Sequence, residues 1–149
     1  MNENSTHPSP PEVRFAYEAQ VDIGERQDLG HAPLGERFLV PILGGTFEGP
    51  GLRGTVLPGG ADRQLLRSDG VKELDALYEM RTHDGVVITV RNRVLIDDTA
   101  RAGRYARSVL RLTVAAGPYD WLNRRVFVGT LHSLRPARSA VCVRVYELA

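Results

Sequence analysis

The sequence predicts an all-β protein, a small closed antiparallel β-barrel of about eight strands, with a two-sheet β-sandwich as the alternative. Three observations carry this. After position 11, turn signals recur about every 10 to 15 residues, and the segments between them alternate apolar and polar residues. Residues 44–62 hold seven glycines and two prolines around Thr46-Phe47-Glu48 and Thr55-Val56-Leu57. That is the pattern of β-segments sharply bent by glycine, not of a bare linker. Finally, Asp84-Gly85 stands between two alternating runs, a strong hairpin signal.

The elements follow in order. Residues 1–11 are polar and proline-rich and read as a disordered tail before a single domain, 12–149. The first strand is 12–23, with Val13, Phe15, Tyr17, Ala19, Val21 and Ile23 on one face. The second is 35–47, alternating Phe38, Val40 and Ile42. A third starts at 53–57, breaks at Pro58-Gly59-Gly60, and resumes at 63–67 before the Asp69-Gly70 turn. Residues 71–83 fit a strand, with Leu74, Ala76, Tyr78, Met80 and Thr82 on one face. They also fit a helix through Leu74, Leu77, Tyr78 and Arg81; the Asp84-Gly85 turn decides for the strand. Strands at 86–96 and 108–115 flank a loop or short helical turn at 97–106. A turn at 117–123, with a helical turn around Trp121, precedes a final hairpin of 124–134 and 140–148.

Composition narrows the function classes. Hydrophobic residues at 42% and charged residues at 25% suit a water-soluble globular core. A net charge of +1 gives no reason to expect nucleic acid or an anionic membrane as a partner. Eighteen of the nineteen cations are arginine and Lys72 is the sole lysine, a coding bias or an anion-binding surface. Cys142, the only cysteine, excludes an internal disulfide and reads as a small buried hydrophobe. No apolar run is long enough for a membrane span, and the N-terminus lacks a signal-peptide core, so a cytoplasmic location is expected. His7, His31 and His132 have no second ligand at a useful spacing, so no metal is expected. No nucleotide loop, HExxH or nucleophile elbow occurs, and no cofactor is expected.

One ordered set of motifs is specific. It comprises Pro41-Ile42-Leu43-Gly44-Gly45-Thr46-Phe47-Glu48-Gly49-Pro50, Gly54-Thr55-Val56-Leu57-Pro58-Gly59-Gly60-Ala61-Asp62 and Arg67-Ser68-Asp69-Gly70. It continues through Leu74-Asp75-Ala76-Leu77-Tyr78-Glu79-Met80, Thr82-His83-Asp84-Gly85, Tyr119-Asp120-Trp121-Leu122-Asn123, Val126-Phe127-Val128-Gly129 and Val145-Tyr146-Glu147. From about residue 13 onward the chain thereby resembles the bacterial uncharacterised protein family 0311, the domain of unknown function 3237. The resemblance implies a small antiparallel barrel of the calycin, streptavidin and allene-oxide-cyclase type, assembled as a homo-oligomer, a dimer or higher. It implies no particular activity. The chain departs from the family pattern at Arg63, where an aromatic is usual, at Arg93, where glycine is usual, and across 97–108.

A small barrel holds a ligand in its mouth, among apolar walls and a few placed polar groups. The candidates are the polar residues inside the motifs. Asp62 follows a Gly-Gly turn and is a general base or an Asx-turn cap. Glu48 is a second acid on the glycine bend or a surface partner of Arg53. Arg53 is an anion stabiliser or half of an ion pair with Glu48 or Asp62. Tyr78 is core, or a proton donor and holder of an enolate oxygen. His83 is a proton shuttle or a solvent-exposed turn residue. Phe47, Met80, Tyr119 and Trp121 are ligand-lining aromatic and thioether surface, or packing.

Two functions of different class follow. One is a cofactor-free enzyme acting on a small organic metabolite by general acid–base chemistry, as an isomerase, cyclase or hydratase/dehydratase. The other is a non-catalytic binding module for a small hydrophobic ligand. A scaffold with a filled interior is the third possibility. The enzyme requires Asp62, Arg53 and Tyr78 to converge in a cavity, the binding module a cavity with few charges, and the scaffold none.

Overall fold

The computed structural model describes residues 7–99 and 103–149. The tail assigned to 1–11 therefore lies partly outside the described residues, as does the centre of the 97–108 segment. The chain closes into an eight-stave antiparallel barrel built from ten strand segments. These are β1 (Val13–Ile23), β2 (Gln27–Ala32), β3 (Gly35–Glu48), β4 (Arg53–Val56), β5 (Ala61–Leu66), β6 (Lys72–Thr82), β7 (Val87–Asp97), β8 (Tyr105–Val114), β9 (Val126–Ser133) and β10 (Ala140–Leu148). Two staves are each made of two segments. Along one side of β3, β1 pairs with its C-terminal half and β2 with its N-terminal half. Along the other side, β4 and β5 divide β3 in the same way. Pairing then runs β6, β7, β8, β9, β10 and back to β1, so the ring closes.

β2 is a strand the alternation misses. Its residues are exposed, Leu29 included, apart from half-buried Ala32, and among the described strands it pairs only with β3. The one-sided face expected for β1 also needs correction. A bulge between Phe15 and Tyr17 shifts the register, so Ala16 and Tyr17 are both buried while Val13 and Phe15 face outward. By contrast, the alternating face of β6 is inward as read, with Leu74, Ala76, Tyr78, Met80 and Thr82 all buried. β8 likewise turns Leu110, Leu112 and Val114 inward, but Val109 outward.

The two ends differ. The end bearing the β3–β4, β6–β7 and β8–β9 connections is plugged. A 3-10 turn, η1 (Asp120–Arg124), buries Leu122 there, beside Leu52 and Tyr119. Asn123 fastens the plug: its Nδ2 donates to the Val114 carbonyl at 2.8 Å, and its Oδ1 accepts from the Val114 amide at 2.9 Å. Tyr17, Phe47, Met80, Ile88 and Phe127 fill the barrel behind it. The opposite end carries the loops 24–26, 67–71 and 134–139 and is open.

Glycine makes the bent stave possible at two points. Gly45 has φ +139° and lies so close to β1 that a Cβ would stand 2.0 Å from the Gln20 carbonyl oxygen. Gly60, between β4 and β5, lies against β6, where a Cβ would meet the Tyr78 Cβ at 2.4 Å. The glycine-rich stretch thus brings backbone against a side chain at the place where the barrel interior opens.

Candidate active site

Behind the open mouth lies a small interior chamber of about 70 Å³. Its walls are mostly aliphatic, with Asp62, Gln64, Tyr78 and Asn92 as the polar exceptions. Cross-strand register places them. Asp62 on β5 is opposite Ala76 on β6, and Ala76 is opposite Asn92 on β7. Three adjacent strands therefore present an acid, a methyl and an amide in one row, the acid and amide about 10 Å apart at Cα. Ala76 leaves the space between them open. Tyr78, two residues along β6 on the same face, is the diagonal neighbour of Asp62 at about 7–8 Å, within reach of a long side chain.

These groups are poised rather than satisfied. Gln64 Nε2 donates to Asp62 Oδ2 at 2.9 Å. Asp62 Oδ1, the Tyr78 hydroxyl and Asn92 Oδ1 are buried with no hydrogen-bond partner among the described residues. Orphaned polar atoms inside a fold are costly, so three around one chamber mark a place for a ligand or water. Burial raises the Asp62 pKa above the usual carboxylate range, and the Gln64 hydrogen bond opposes part of that rise. Burial also raises the Tyr78 pKa, reinforced by the negative field of Asp62. A carboxyl that binds its proton more tightly is a stronger base; a phenol kept neutral is a hydrogen-bond donor.

The other candidates are placed elsewhere. Glu48 and Arg53 oppose each other in the β3–β4 register, exposed at the plugged end. No ion pair joins Arg53 to Glu48 or Asp62. His83 is exposed in the β6–β7 turn, its amide donating to the Arg53 carbonyl at 2.9 Å. The structure therefore brings Asp62 and Tyr78 to one chamber and leaves Glu48, Arg53 and His83 outside it. Phe47 packs edge-on to Tyr17, ring centroids 5.9 Å apart, and Met80 is wholly buried in the core. Tyr119 donates its hydroxyl to Asp84 Oδ1 at 2.9 Å, and Trp121 packs against Phe127. These four build the plug and the packing behind it rather than the chamber wall.

Asn92 and Gln64 escape a motif-based reading. Their signal is phase: Asn92 falls between Val90 and Val94 on the inward face of β7, and Gln64 shares the inward face of β5 with Asp62. Ser108, another buried hydroxyl without a partner, is similarly in phase with Leu110. A wider concavity of about 990 Å³ lies on the outer wall, around Val109, Val128 and Tyr105. It is an open groove, and the buried acid is not part of it.

Fold and chamber together define a small antiparallel barrel with one open end and a buried carboxyl–phenol–amide set. The chain belongs to the family described as protein of unknown function (DUF3237), whose profile matches residues 11–148. A UPF0311 protein of Rhodopseudomonas palustris is 32% identical over 132 residues, covering 80% of this chain and 86% of the relative. The crystal structure of a β-barrel-like protein from Acinetobacter baumannii superposes with a TM-score of 0.90 at 28% identity, covering 97% of this chain and 100% of that one. A hydroalkoxylation enzyme of Penicillium herquei is 27% identical over 125 residues, 84% of this chain and 77% of that enzyme. The family is otherwise uncharacterised, and this distant relative is an enzyme. Among the described residues, no helix is long and apolar enough to cross a membrane.

Proposed function

We propose that the protein is an enzyme that adds a hydroxyl group across a polarised double bond within one small molecule, a ring-forming isomerisation. One observation carries the reading: Asp62 Oδ1, the Tyr78 hydroxyl and Asn92 Oδ1 are buried, unpartnered and gathered on one chamber. The name of the Penicillium relative, a hydroalkoxylation enzyme, supports this class of addition.

The chemistry balances with this chain's own groups. The substrate hydroxyl gives its proton to Asp62 as the oxygen attacks the far carbon of a conjugated double bond. The C=C π pair moves onto the conjugated carbonyl oxygen, which becomes an enolate. The Tyr78 hydroxyl donates a hydrogen bond to that oxygen, stabilising charge that exists only after attack. The Asp62 carboxyl then returns its proton to the α carbon. One C–O and one C–H bond form, one O–H and one π bond are lost, and no oxidant is consumed. Asn92 Oδ1 accepts a second hydrogen bond from the substrate and orients it. The raised Asp62 pKa suits both halves of the cycle.

The test is a panel of small phenols and alcohols carrying a conjugated double bond, incubated with the protein in D₂O. The expected product is an isomeric cyclic ether with one carbon-bound deuterium. Asp62→Asn should lower its rate by about 10²–10⁴-fold and Tyr78→Phe by about 10²–10³-fold. Isomerisation that proceeds unchanged in Asp62→Asn sinks the mechanism. Stoichiometric binding of panel members without turnover by the unaltered protein replaces it with the binding-module reading.

A further inference from the structure

The chamber is too small for a whole metabolite. Ligand sites usually measure about 300–1,000 Å³, against about 70 Å³ here. It continues outward through Ile23, Val40 and Gln64, which also line a mouth of about 580 Å³. A substrate therefore places only its reacting arm beside Asp62 and leaves the rest in the mouth. The chemistry of that rest is written in the rim.

The rim is cationic. Arg26, Lys72 and Arg135 line the mouth, with Glu25 the one carboxylate among the described residues there. Lys72, the chain's sole lysine, and Arg135 form no ion pair among the described residues. Arg26 lies over the Phe38 ring, 4.1 Å from its centroid, which holds its guanidinium in place, and no carboxylate among the described residues pairs with it. The neighbouring Arg138 shows the contrast, since it is neutralised by Asp22 at 2.5 Å. Elsewhere on the wall, Arg67, Arg91 and Arg144 are also paired with acids. Arg37, Arg53, Arg63, Arg81, Arg107 and Arg111 are also without an ion pair among the described residues, but they stand outside the mouth; the mouth is set apart because three such cations line one concavity that adjoins the chamber, against a single carboxylate.

We infer that the substrate is an organic anion, an apolar molecule whose carboxylate or phenolate rests among Arg26, Lys72 and Arg135 while its neutral, unsaturated arm enters the chamber. This rests on the reading of the chamber as the reaction site. The division of labour is physical: guanidinium and ammonium donors hold a charged oxygen in the wet mouth, while aliphatic walls accept an uncharged arm.

The test uses two matched fluorescent probes, anionic 1-anilinonaphthalene-8-sulfonate and its uncharged parent N-phenyl-1-naphthylamine. They are titrated into the full chain, the Lys72→Gln/Arg135→Gln double variant and Asp62→Asn. Both substituted cations are at the surface or half-exposed, and far-UV circular dichroism checks the fold. The unaltered protein should prefer the anionic probe, and the double variant should lose about tenfold of that affinity while holding the neutral probe unchanged. Raising salt to about 1 M, where the Debye length is about 3 Å, should erase the preference. Equal affinity for the two probes, an equal loss of both in the double variant, or binding of neither overturns the inference. Asp62→Asn should keep the anionic preference. If that preference persists while Asp62→Asn also leaves turnover unchanged, the catalytic reading has failed and the anion-binding mouth stands.

Discussion

Gly60→Ala tests whether the glycine break positions the chamber. An added Cβ would stand 2.4 Å from the Tyr78 Cβ, 2.7 Å from the Leu77 carbonyl oxygen and 2.8 Å from the Tyr78 Cα. Ordinary Cβ contacts begin near 3.4 Å, so β6 must retreat by about 1 Å or the 57–60 break must swing out. Neither is easy, because the Leu57 amide is bonded to the Glu79 carbonyl at 2.9 Å and the Gly60 carbonyl to the Ile42 amide at 2.9 Å. Overpacking of this kind costs about 1–3 kcal/mol. For a domain of this size that is a fall in Tm of about 2–12 °C, at about 2–4 °C per kcal/mol. Gly51→Ala is the control. Nothing lies within 4 Å of its Cβ position, and its φ is outside the left-handed range. There, loss of unfolded-state freedom should leave stability unchanged or raise it by up to about 1 kcal/mol, a rise in Tm of up to about 4 °C. Differential scanning calorimetry of both variants decides. Equal melting of Gly60→Ala and Gly51→Ala would refute the claim that the break holds Tyr78 in place.

Three further predictions share the same logic. Asp62 binds its proton more tightly folded than unfolded, so its contribution to stability is fully present below about pH 3.9, the unfolded value, and is lost as pH rises through the folded pKa. Asp62→Asn should therefore stabilise the protein at pH 7 relative to pH 4 in urea titrations; the opposite trend would contradict burial as the cause. Ala76→Leu should fill the gap between Asp62 and Asn92, abolishing the deuterium-incorporating reaction at a stability cost of no more than about 3 kcal/mol, and retained turnover would show that the reacting arm lies elsewhere. Cys142 is buried and hydrogen-bonded to Glu18 at 3.3 Å, with its thiol pKa pushed up to about 11, so it should resist a disulfide reagent at pH 8 until urea exposes one equivalent.

The barrel was legible because alternation and turn chemistry are local. Leu74 through Thr82 declare an inward face, and Asp84-Gly85 returns the chain. β2 was not legible, since its residues are paired by backbone alone on an exposed edge. The β1 bulge was hidden too: a register shift leaves no mark on a run that stays apolar through Ala16. Asp62 and Tyr78 could be singled out from their motifs, but not their neighbours. Whether Arg53 joins them depends on which end of a stave each occupies, and that is a property of closure. The chain breaks between Arg53 and Asp62 and then runs onward, sending one to the plug and the other towards the mouth. Asn92 was readable in principle, as a polar residue in an apolar phase.

The clamp of Asn123 on Val114 has a consequence for how the protein can change. The plugged end is fastened by backbone-directed bonds and packed aromatics, whereas the loops at the other rim are held by their own local bonds, Arg138 to Asp22 and Arg67 to Glu73 among them. Insertions or charge reversals in 24–26, 67–71 or 134–139 can therefore be tried one at a time without remaking the floor. The barrel is a cup whose base and lip are fastened separately, so changes of ligand preference are to be sought by grafting rims.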